Sequence, residues 1–345
     1  MTLRLVLAGW LIAELFFFWP SWATGFARIY GDLGDPRIVL ALLEHWWLWL
    51  TGVQPWGSPR FFYPQPGLLG YTDAYFLFAL PYAAMRALGA DMYLAMELSF
   101  HAMKAVGYFG MVWLLRAGLA VPLGWAVFGG VLFSVLNGMV WHAIHMQLAA
   151  VAVVPWLIGA LLRITKGGAR LKLYLGASLG LAALFLTSFY IAWFSVLGLF
   201  VFFVITRLLR AAQFSFLLEW RAVLAGITLF VLGMVRFLVL YYPVWLEKQG
   251  HAFETVLQQS LYAVELIRVG SYNLLWGWLE TAFYGPLGLV TPASQSNYIP
   301  DYERISGFTL GLILAFVTAL AMLVKADLRR NLVLAFALTF VFFWL

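Results

Sequence analysis

The stretch Gly31-Asp32-Leu33-Gly34-Asp35-Pro36-Arg37 places two carboxylates three residues apart in a chain that is 64% hydrophobic and only 10% charged. A buried carboxylate is costly unless a cation, water or hydrogen-bond donors compensate its charge. The two acids are therefore expected in a loop that faces water, a cation or a substrate, and this loop is predicted at Ser21–Thr72. We interpret it as the chemical centre of the protein and the apolar remainder as scaffold.

The residues that follow the two acids predict how this loop is built. Asp35 stands where a helix N-cap belongs and Pro36 where the first helical residue belongs, so Ile38–Leu50 is predicted to form a short amphipathic helix. This helix is rich in tryptophan, which suits a position in the membrane interface. The aromatic stretch 61–67 contains two prolines and cannot be regular helix.

Composition predicts an all-α, polytopic transmembrane helix bundle that forms a single domain over residues 1–345. Apolar runs near 20 residues recur along the whole chain, and in lipid the backbone must satisfy its hydrogen bonds internally. The absence of cysteine excludes disulfides and thiolate metal ligands. The 21 Lys+Arg against 15 Asp+Glu are explained by basic residues that flank spans, so no nucleic acid partner is expected. Because Val341–Leu345 ends within an apolar run, we expect the natural chain to continue.

About nine spans are predicted. They are Leu3–Trp19, Tyr93–Leu115, Leu123–Trp141, Leu148–Leu162, Leu173–Phe189, Ile191–Ile205, Ala222–Tyr241, Gly307–Val324 and a ninth that begins at Asn331. The first run could also be a cleaved signal peptide, but Glu14 inside it and the membrane protein behind it favour a retained span. Tyr75–Leu88 is apolar but short, and we interpret it as re-entrant or interfacial.

The distribution of charge predicts the orientation of these spans, because basic residues accumulate on the cytoplasmic side. Arg4 places the N-terminus in the cytoplasm. If Tyr75–Leu88 crossed the membrane, the basic cluster at 163–172 would lie outside. The predicted cytoplasmic basic residues are Arg4, Arg116, Arg163, Lys166, Arg170, Lys172, Arg207, Arg210, Arg221, Lys325, Arg329 and Arg330. The predicted external acids are Asp32, Asp35, Glu44, Asp73, Asp91, Glu247, Glu254, Glu265, Glu280, Asp301 and Glu303.

This orientation gives two external segments, the first loop at 21–92 and a second segment at 244–306. The predicted location is the bacterial inner membrane, with the acidic loops on the external side. An acidic external face beside the membrane is where we expect the chemistry of the protein.

Asp32 and Asp35 are the first candidates for that chemistry. Two carboxylates on one turn could bind a divalent cation such as Mg²⁺ or Mn²⁺ through oxygen ligands. One of them could instead deprotonate an acceptor hydroxyl as a general base. The alternative without function is that Asp35 is a helix cap and Asp32 a solvated turn residue.

Glu97, His101 and Lys104 share one helical face at positions i, i+4 and i+7. Ionisable residues inside a span usually line a cavity or pair with each other. The pattern therefore predicts either an internal structural network between Glu97 and Lys104 or a proton path.

Further candidates lie at the ends of the later spans. His142 and His145 could bind a metal together with an acid, could contact a phosphate, or could be polar interfacial residues. Arg236 could hold a phosphate group, with snorkelling to the interface as the alternative. Glu303 lies in an acidic stretch before a span and could complete the site or form a solvated flank. Walker, dinucleotide-binding and GxSxG motifs are absent from the sequence.

The sequence resembles the GT-C class of membrane glycosyltransferases, which includes protein O-mannosyltransferases, lipid A aminoarabinose transferases and oligosaccharyltransferases. The shared layout is a first span, a large external loop with an acidic motif and juxtamembrane helices, and a many-helix bundle. A set of bacterial GT-C-like membrane proteins is more closely similar. That likeness covers nearly the whole chain and is carried by Gly31–Arg37, Leu43-Glu44-His45, Phe61–Pro64, His145–Leu148 and Pro155.

The resemblance implies a polyprenyl-phosphate sugar as donor and an acceptor in the cell envelope. Asp32 or Asp35 would act as general base or bind a metal, and Asp35 is favoured because it leads directly into the juxtamembrane helix. Arg236 or the histidines would hold the lipid phosphate. The acids are spaced DxxD here, whereas the class has adjacent acids or DxD. The candidate substrate-binding residues are Arg37, Glu44, His45, His142, His145, Arg236 and Glu303.

Two other functions remain open at this point. A transporter or flippase for a lipid-linked sugar or polymer would depend on Glu97, His101 and Lys104 more than on the loop. A scaffold of an envelope assembly would depend on neither set.

Overall fold

The structure is a computed structural model, and it describes residues 2–28, 34–61, 64–165, 170–209, 219–250, 252–259, 265, 267–271, 273–287, 305, 307–309, 311–314, 316–317 and 328–344. Within these ranges every regular element is a helix, which confirms the prediction of an all-α chain. The chain divides into two compact units. One contains residues 1–135, 143–200 and 212–249, and the other contains 136–142, 201–211 and 250–345.

The α-helices, numbered here in chain order, are α1 (Thr2–Phe17), α2 (Trp19–Ala23), α3 (Asp35–Leu50), α4 (Phe76–Ala87), α5 (Met92–Trp113), α6 (Leu123–Ser134), α7 (Asn137–Trp141), α8 (Val154–Thr165), α9 (Leu171–Phe185), α10 (Phe189–Leu208), α11 (Trp220–Lys248), α12 (Phe253–Gln259) and α13 (Leu328–Trp344). Short 3₁₀ segments cover Leu68–Tyr71 and Met146–Val153, and π segments cover Leu114–Gly118 and Glu280–Tyr284.

Four of these helical segments are long and apolar enough to cross a membrane: Met92–Gly118, Met146–Thr165, Phe189–Leu208 and Trp220–Lys248. Three shorter apolar helices are α4, α6 and α9. The described residues therefore support a protein with membrane-spanning helices, while the predicted number of about nine spans stays a prediction. α4 coincides with the stretch interpreted as re-entrant, and its 12 residues reach only about 18 Å at 1.5 Å per residue.

The predicted span Leu123–Trp141 is interrupted in the structure. α6 ends at Ser134, Val135 and Leu136 are not helical, and a separate short helix begins at Asn137. Lys104 donates a hydrogen bond from Nζ to the Ser134 carbonyl oxygen at 2.5 Å. A cation on a terminal carbonyl stabilises a helix end. The sequence of α6 alone does not contain this signal.

The first unit is packed around α5, which contacts α1, α3, α4, α6 and the helical segment 146–165. Glycines allow the closest of these approaches, as is common between membrane helices. Trp113 and Trp156 stack with ring centroids 5.1 Å apart. Each ring lies against a glycine of the other helix, Trp113 on Gly159 and Trp156 on Gly110.

Gly159→Ala is expected to destabilise the fold. A Cβ at this position would lie 2.1 Å from Cζ3 of Trp113, whose ring is held by the stack with Trp156. Overpacking costs about 1–3 kcal/mol, and the better helix propensity of alanine offsets about 1 kcal/mol. We expect the free energy of unfolding to fall by up to about 2 kcal/mol.

Thermal or denaturant unfolding measures this change, and Gly176→Ala is the matched control. Gly176 lies in α9 with open space around its Cα. Alanine there is expected to raise stability by about 0.5–1 kcal/mol. Equal stabilisation by both substitutions would contradict the packing argument.

Candidate functional site around Asp35 and His145

The first turn of α3 presents Asp35. Gly34 occupies the N-cap position, Asp35 is the first helical residue and Pro36 follows it. The Asp35 side chain therefore does not cap the helix, and the interpretation of Asp35 as N-cap is corrected by one residue. Pro36 fits this place because its missing N–H is among the donors that a first turn leaves unpaired. The apolar face of α3 buries Val39, Leu42, Leu43 and Trp46, which fixes the start of the helix against the fold.

Asp35 pairs with His145. Oδ2 of Asp35 lies 2.9 Å from Nδ1 of His145, although the two residues are 110 positions apart in the sequence. The side chain of Asp35 is 49% exposed and that of His145 is 23% exposed. A ligand can therefore reach the pair, while the hydrogen bond fixes the orientation of the imidazole. Among the predicted site residues, these two are brought together.

Tyr75 and Gln147 extend the pair on one side. Tyr75 is buried and donates a hydrogen bond from its hydroxyl to Oε1 of Gln147 at 2.7 Å, two residues beyond His145. Burial raises the pKa of Tyr75, and the nearby carboxylates of Asp73 and Asp35 act in the same direction. Tyr75 therefore stays protonated, and its hydroxyl acts as a fixed hydrogen-bond donor to Gln147.

The backbone at Tyr75 is held in an unusual conformation. Its φ of 55° lies in the left-handed region, which a non-glycine residue adopts only at a cost. Three bonds to the turn between α9 and α10 compensate this cost. They run from Tyr75 N to Thr187 O (3.0 Å), from Phe76 N to Leu186 O (3.2 Å) and from Leu77 N to Thr187 Oγ1 (3.0 Å). In addition, the Tyr241 hydroxyl of α11 donates to the Thr72 carbonyl at 2.8 Å.

Asp73 is a site residue that sequence reasoning did not select. It was counted only among the external acids, yet the structure buries it next to Tyr75. Its Oδ1 accepts from the Phe189 backbone N–H at 3.0 Å and its Oδ2 lies 3.4 Å from the Ser188 hydroxyl, so it caps the start of α10. Burial raises the pKa of Asp73 to about 6, and the bonds from Phe189 and Ser188 oppose this only in part. A carboxyl with such a pKa can exchange a proton near neutral pH.

A signal for Asp73 was present in the sequence. It lies between Tyr71 and Tyr75 and directly before an apolar helix. An acid in that setting is surrounded by apolar and aromatic groups, which favours a desolvated carboxyl. The partners Ser188 and Phe189 are more than 110 residues away, so no local pattern indicates them.

Two predicted substrate-binding residues of α3 make contacts inside the fold. Glu44 pairs with Arg86 of α4, with Oε2 3.2 Å from Nε, and accepts from the Tyr82 hydroxyl. His45 is fully buried and its Nδ1 lies 2.6 Å from Oε1 of Gln54. Burial lowers the pKa of His45, and the Gln54 hydrogen bond opposes this only in part. These contacts fasten α3 to α4 and to the loop that follows α3.

The structure also describes Arg236, Arg37 and His142. The Arg236 guanidinium lies 5.3 Å from the centre of the Trp56 ring, a cation–π distance. Arg37 is exposed two residues after Asp35. His142 places Nδ1 2.9 Å from the carbonyl oxygen of Gly138, within the second unit.

Asp32 and Glu303 lie outside the described residues, as does the acidic stretch 298–304. Among the residues that the structure describes, no three His, Asp or Glu side chains converge in a way that could hold a metal ion. A metal at Asp32 and Asp35 therefore stays a prediction.

Comparison of the chain with protein-family models, with curated proteins and with solved structures gave no match.

Proposed function

We propose that the protein is a membrane glycosyltransferase that moves a sugar from a polyprenyl-phosphate donor to an acceptor hydroxyl on the external face. The observation that supports this most is the partly exposed Asp35–His145 pair at 2.9 Å. A carboxylate oriented by an imidazole is suited to accept a proton from a hydroxyl. Asp35 also lies in the acidic loop that carries the resemblance to GT-C glycosyltransferases.

In the proposed reaction Asp35 acts as the general base. His145 occupies Oδ2, so Oδ1 is the atom that takes the proton from the acceptor hydroxyl. The acceptor oxygen forms a bond to the anomeric carbon as the bond from that carbon to the phosphate oxygen breaks. The polyprenyl phosphate leaves with the electron pair, and the anomeric centre inverts.

Charge and aromatic groups near the pair support the same reaction. Arg37 is an exposed cation close to Asp35 in the chain and could hold the departing phosphate, for which a guanidinium provides paired donors. The hydrogen bond between Tyr75 and Gln147 fixes the chain two residues beyond His145. We assign Arg236 a weaker role in phosphate binding, because its guanidinium stacks on Trp56.

Binding of the donor is the direct test of this proposal. A polyprenyl-phosphate sugar, added to the purified protein with and without Mg²⁺ or Mn²⁺, is expected to raise the unfolding temperature. A ligand at 100 times its Kd stabilises the folded state by about 2.7 kcal/mol. The shift is expected to weaken in Arg37→Gln, which loses the proposed contact with the donor phosphate, and to persist in Asp91→Asn.

Asp91 is the matched control because its exposed side chain only caps α5, accepting from Tyr93 N and Leu94 N. Asparagine keeps this cap. No shift with any polyprenyl donor would remove the support for a transferase and favour the transporter or the scaffold.

A transporter of lipid-linked sugars is the second candidate, and one observation favours it. Glu14, Glu97, His101 and Lys104 are buried together between α1 and α5. Buried ionisable residues in membrane helices mark substrate or proton pathways more often than packing sites. Transport that survives loss of Asp35 but fails without His101 would favour this candidate.

A further inference from the structure

A buried ionisable cluster lies between α1 and α5 and is separate from the Asp35–His145 pair. Its members are Glu14, Glu97, His101 and Lys104, with relative exposures of 5%, 3%, 8% and 8%. Three of them lie in the candidate span Met92–Gly118. Charged groups in such a segment are costly, so their presence together requires a structural or functional reason.

The contacts of the cluster differ from the simple network that the sequence suggests. His101 Nδ1 is hydrogen-bonded to Glu14, and the imidazole stacks on Phe18 with ring centroids 3.5 Å apart. Lys104 donates to the Ser134 carbonyl and lies 3.8 Å from the centre of the Phe17 ring. Lys104 is thus held by a carbonyl and an aromatic face, and Glu97 is not its partner.

Two atoms of the cluster have no hydrogen-bond partner among the described residues. They are Oε1 of Glu97 and Nε2 of His101, and both are buried. The two residues are spaced i, i+4 on α5, where Cβ atoms are about 5–6 Å apart. A buried polar atom without a partner is unfavourable. The buried hydroxyl of Ser21, which also has no partner among the described residues, lies at the Glu97 carboxyl.

We propose that Glu97, His101 and Glu14 form an intramembrane proton-binding site. The proton on the Glu97 carboxyl moves to Nε2 of His101, so an O–H bond breaks and an N–H bond forms. The products are a Glu97 carboxylate and an imidazolium whose Nδ1–H is held by the Glu14 carboxylate. No electron is transferred, and the net charge of the cluster does not change in this step. Release of the proton from the imidazolium to water then breaks the N–H bond, forms an O–H bond of hydronium and lowers the net charge of the cluster by one, and this release is the step that depends on pH.

Lys104 limits how far the proton can travel. It lies one turn beyond His101 on α5, and its Nζ is held by the Ser134 carbonyl and by the face of the Phe17 ring. Tyr108, the next ionisable residue of α5, is engaged by its bond to the Val6 carbonyl. The proton therefore enters and leaves at the Met92 end of α5, and the site binds protons without conducting them across the bundle.

No other charged side chain in the described part of the chain is bonded to the cluster. Phe18, Trp22 and Phe26, whose rings lie around His101, carry no charge. α6 contributes Ser134 through its carbonyl. The charged and titratable residues on the other neighbours of α5 have positions or partners of their own. Glu44 pairs with Arg86, Asp35 pairs with His145, and His45 is bonded to Gln54. Arg37 is exposed, Arg116 donates to the Val121 carbonyl, and Arg163 lies in the last turn of α8.

Infrared difference spectra of the full chain in lipid discs, recorded between about pH 5 and 8, test the proposal in the range where histidine titrates. A carboxylic acid C=O band that changes with pH is expected in the wild type. It should be lost in Glu97→Gln and displaced in His101→Gln. Glu254→Gln, which alters an exposed glutamate outside the cluster, should keep it.

A spectrum without a pH-dependent carboxylic acid band would overturn the proposal and leave the cluster as a fixed structural network. The same conclusion follows if Glu97→Gln retains the wild-type band. Should Glu97→Gln lose its helical circular dichroism, His101→Gln decides alone, and an undisplaced band in that variant rejects the proton transfer.

Discussion

Asp35→Asn is expected to lower the rate of glycosyl transfer by about 100-fold or more, the usual contribution of a general base. Asparagine has the size of aspartate and can still accept a hydrogen bond from His145 Nδ1, at 2.9 Å in the wild type. It cannot take a proton from the acceptor hydroxyl. The substitution therefore removes the chemistry of the side chain while it keeps the geometry of the pair.

Transfer of labelled sugar from a polyprenyl-phosphate donor measures this effect, with Asp91→Asn as the control that keeps wild-type rates. Unfolding temperatures of both variants show that the fold is retained. Transfer by Asp35→Asn at more than about a tenth of the wild-type rate would show that Asp35 is not the base. Donor binding without any transfer, in wild type and variant alike, would instead favour a transporter.

Asp73→Asn is expected to remove a pH dependence of stability. Burial raises the pKa of Asp73 from 3.8 to about 6, so the folded state binds the proton more tightly than the unfolded state does. The stability from this residue is therefore fully present below about pH 4 and is lost as the pH rises through about 6. Two pKa units correspond to about 3 kcal/mol.

The asparagine variant keeps an oxygen for the Phe189 N–H, the 3.0 Å bond that caps α10. Its free energy of unfolding should consequently exceed that of the wild type at pH 7 by up to about 3 kcal/mol, with no advantage near pH 4. Denaturant unfolding at several pH values measures the difference between the two proteins. An equal slope in both between pH 4 and 6 would refute the assignment of a desolvated carboxyl to Asp73.

The sequence predicted where the helices lie better than it predicted the contacts between them. Hydrophobic runs locate α5 to within two residues, because its start at Met92 and end at Trp113 depend on local signals. The end of α6 could not be predicted, since Lys104 of another helix takes its last carbonyl. A helix end that depends on a residue of another helix cannot be predicted from the hydrophobic periodicity of its own sequence.

The same limit applies to the candidate site. Two carboxylates in an apolar chain were sufficient to single out Asp35, and a histidine pair was sufficient to single out His145. Their contact joins residues 110 positions apart, and only tertiary packing decides it. The aromatic neighbours of Asp73 in the sequence favour a desolvated carboxyl, but its partners Ser188 and Phe189 are more than 110 residues away and only tertiary packing reveals them. Glu14 in the sequence indicates a retained first span, and the structure adds that it is the partner of His101.

The shortness of α6 has a consequence for the lipid around it. Its 12 residues extend about 18 Å at 1.5 Å each, while a typical hydrocarbon core is about 30 Å thick. Trp125 and Phe128 are 68% and 52% exposed on this helix, so its surface is one that acyl chains would cover. A bilayer meets such hydrophobic mismatch by thinning locally. Headgroups would then lie closer to the bilayer midplane, and a lipid-linked phosphate would meet the protein at a deeper level than in an undeformed membrane.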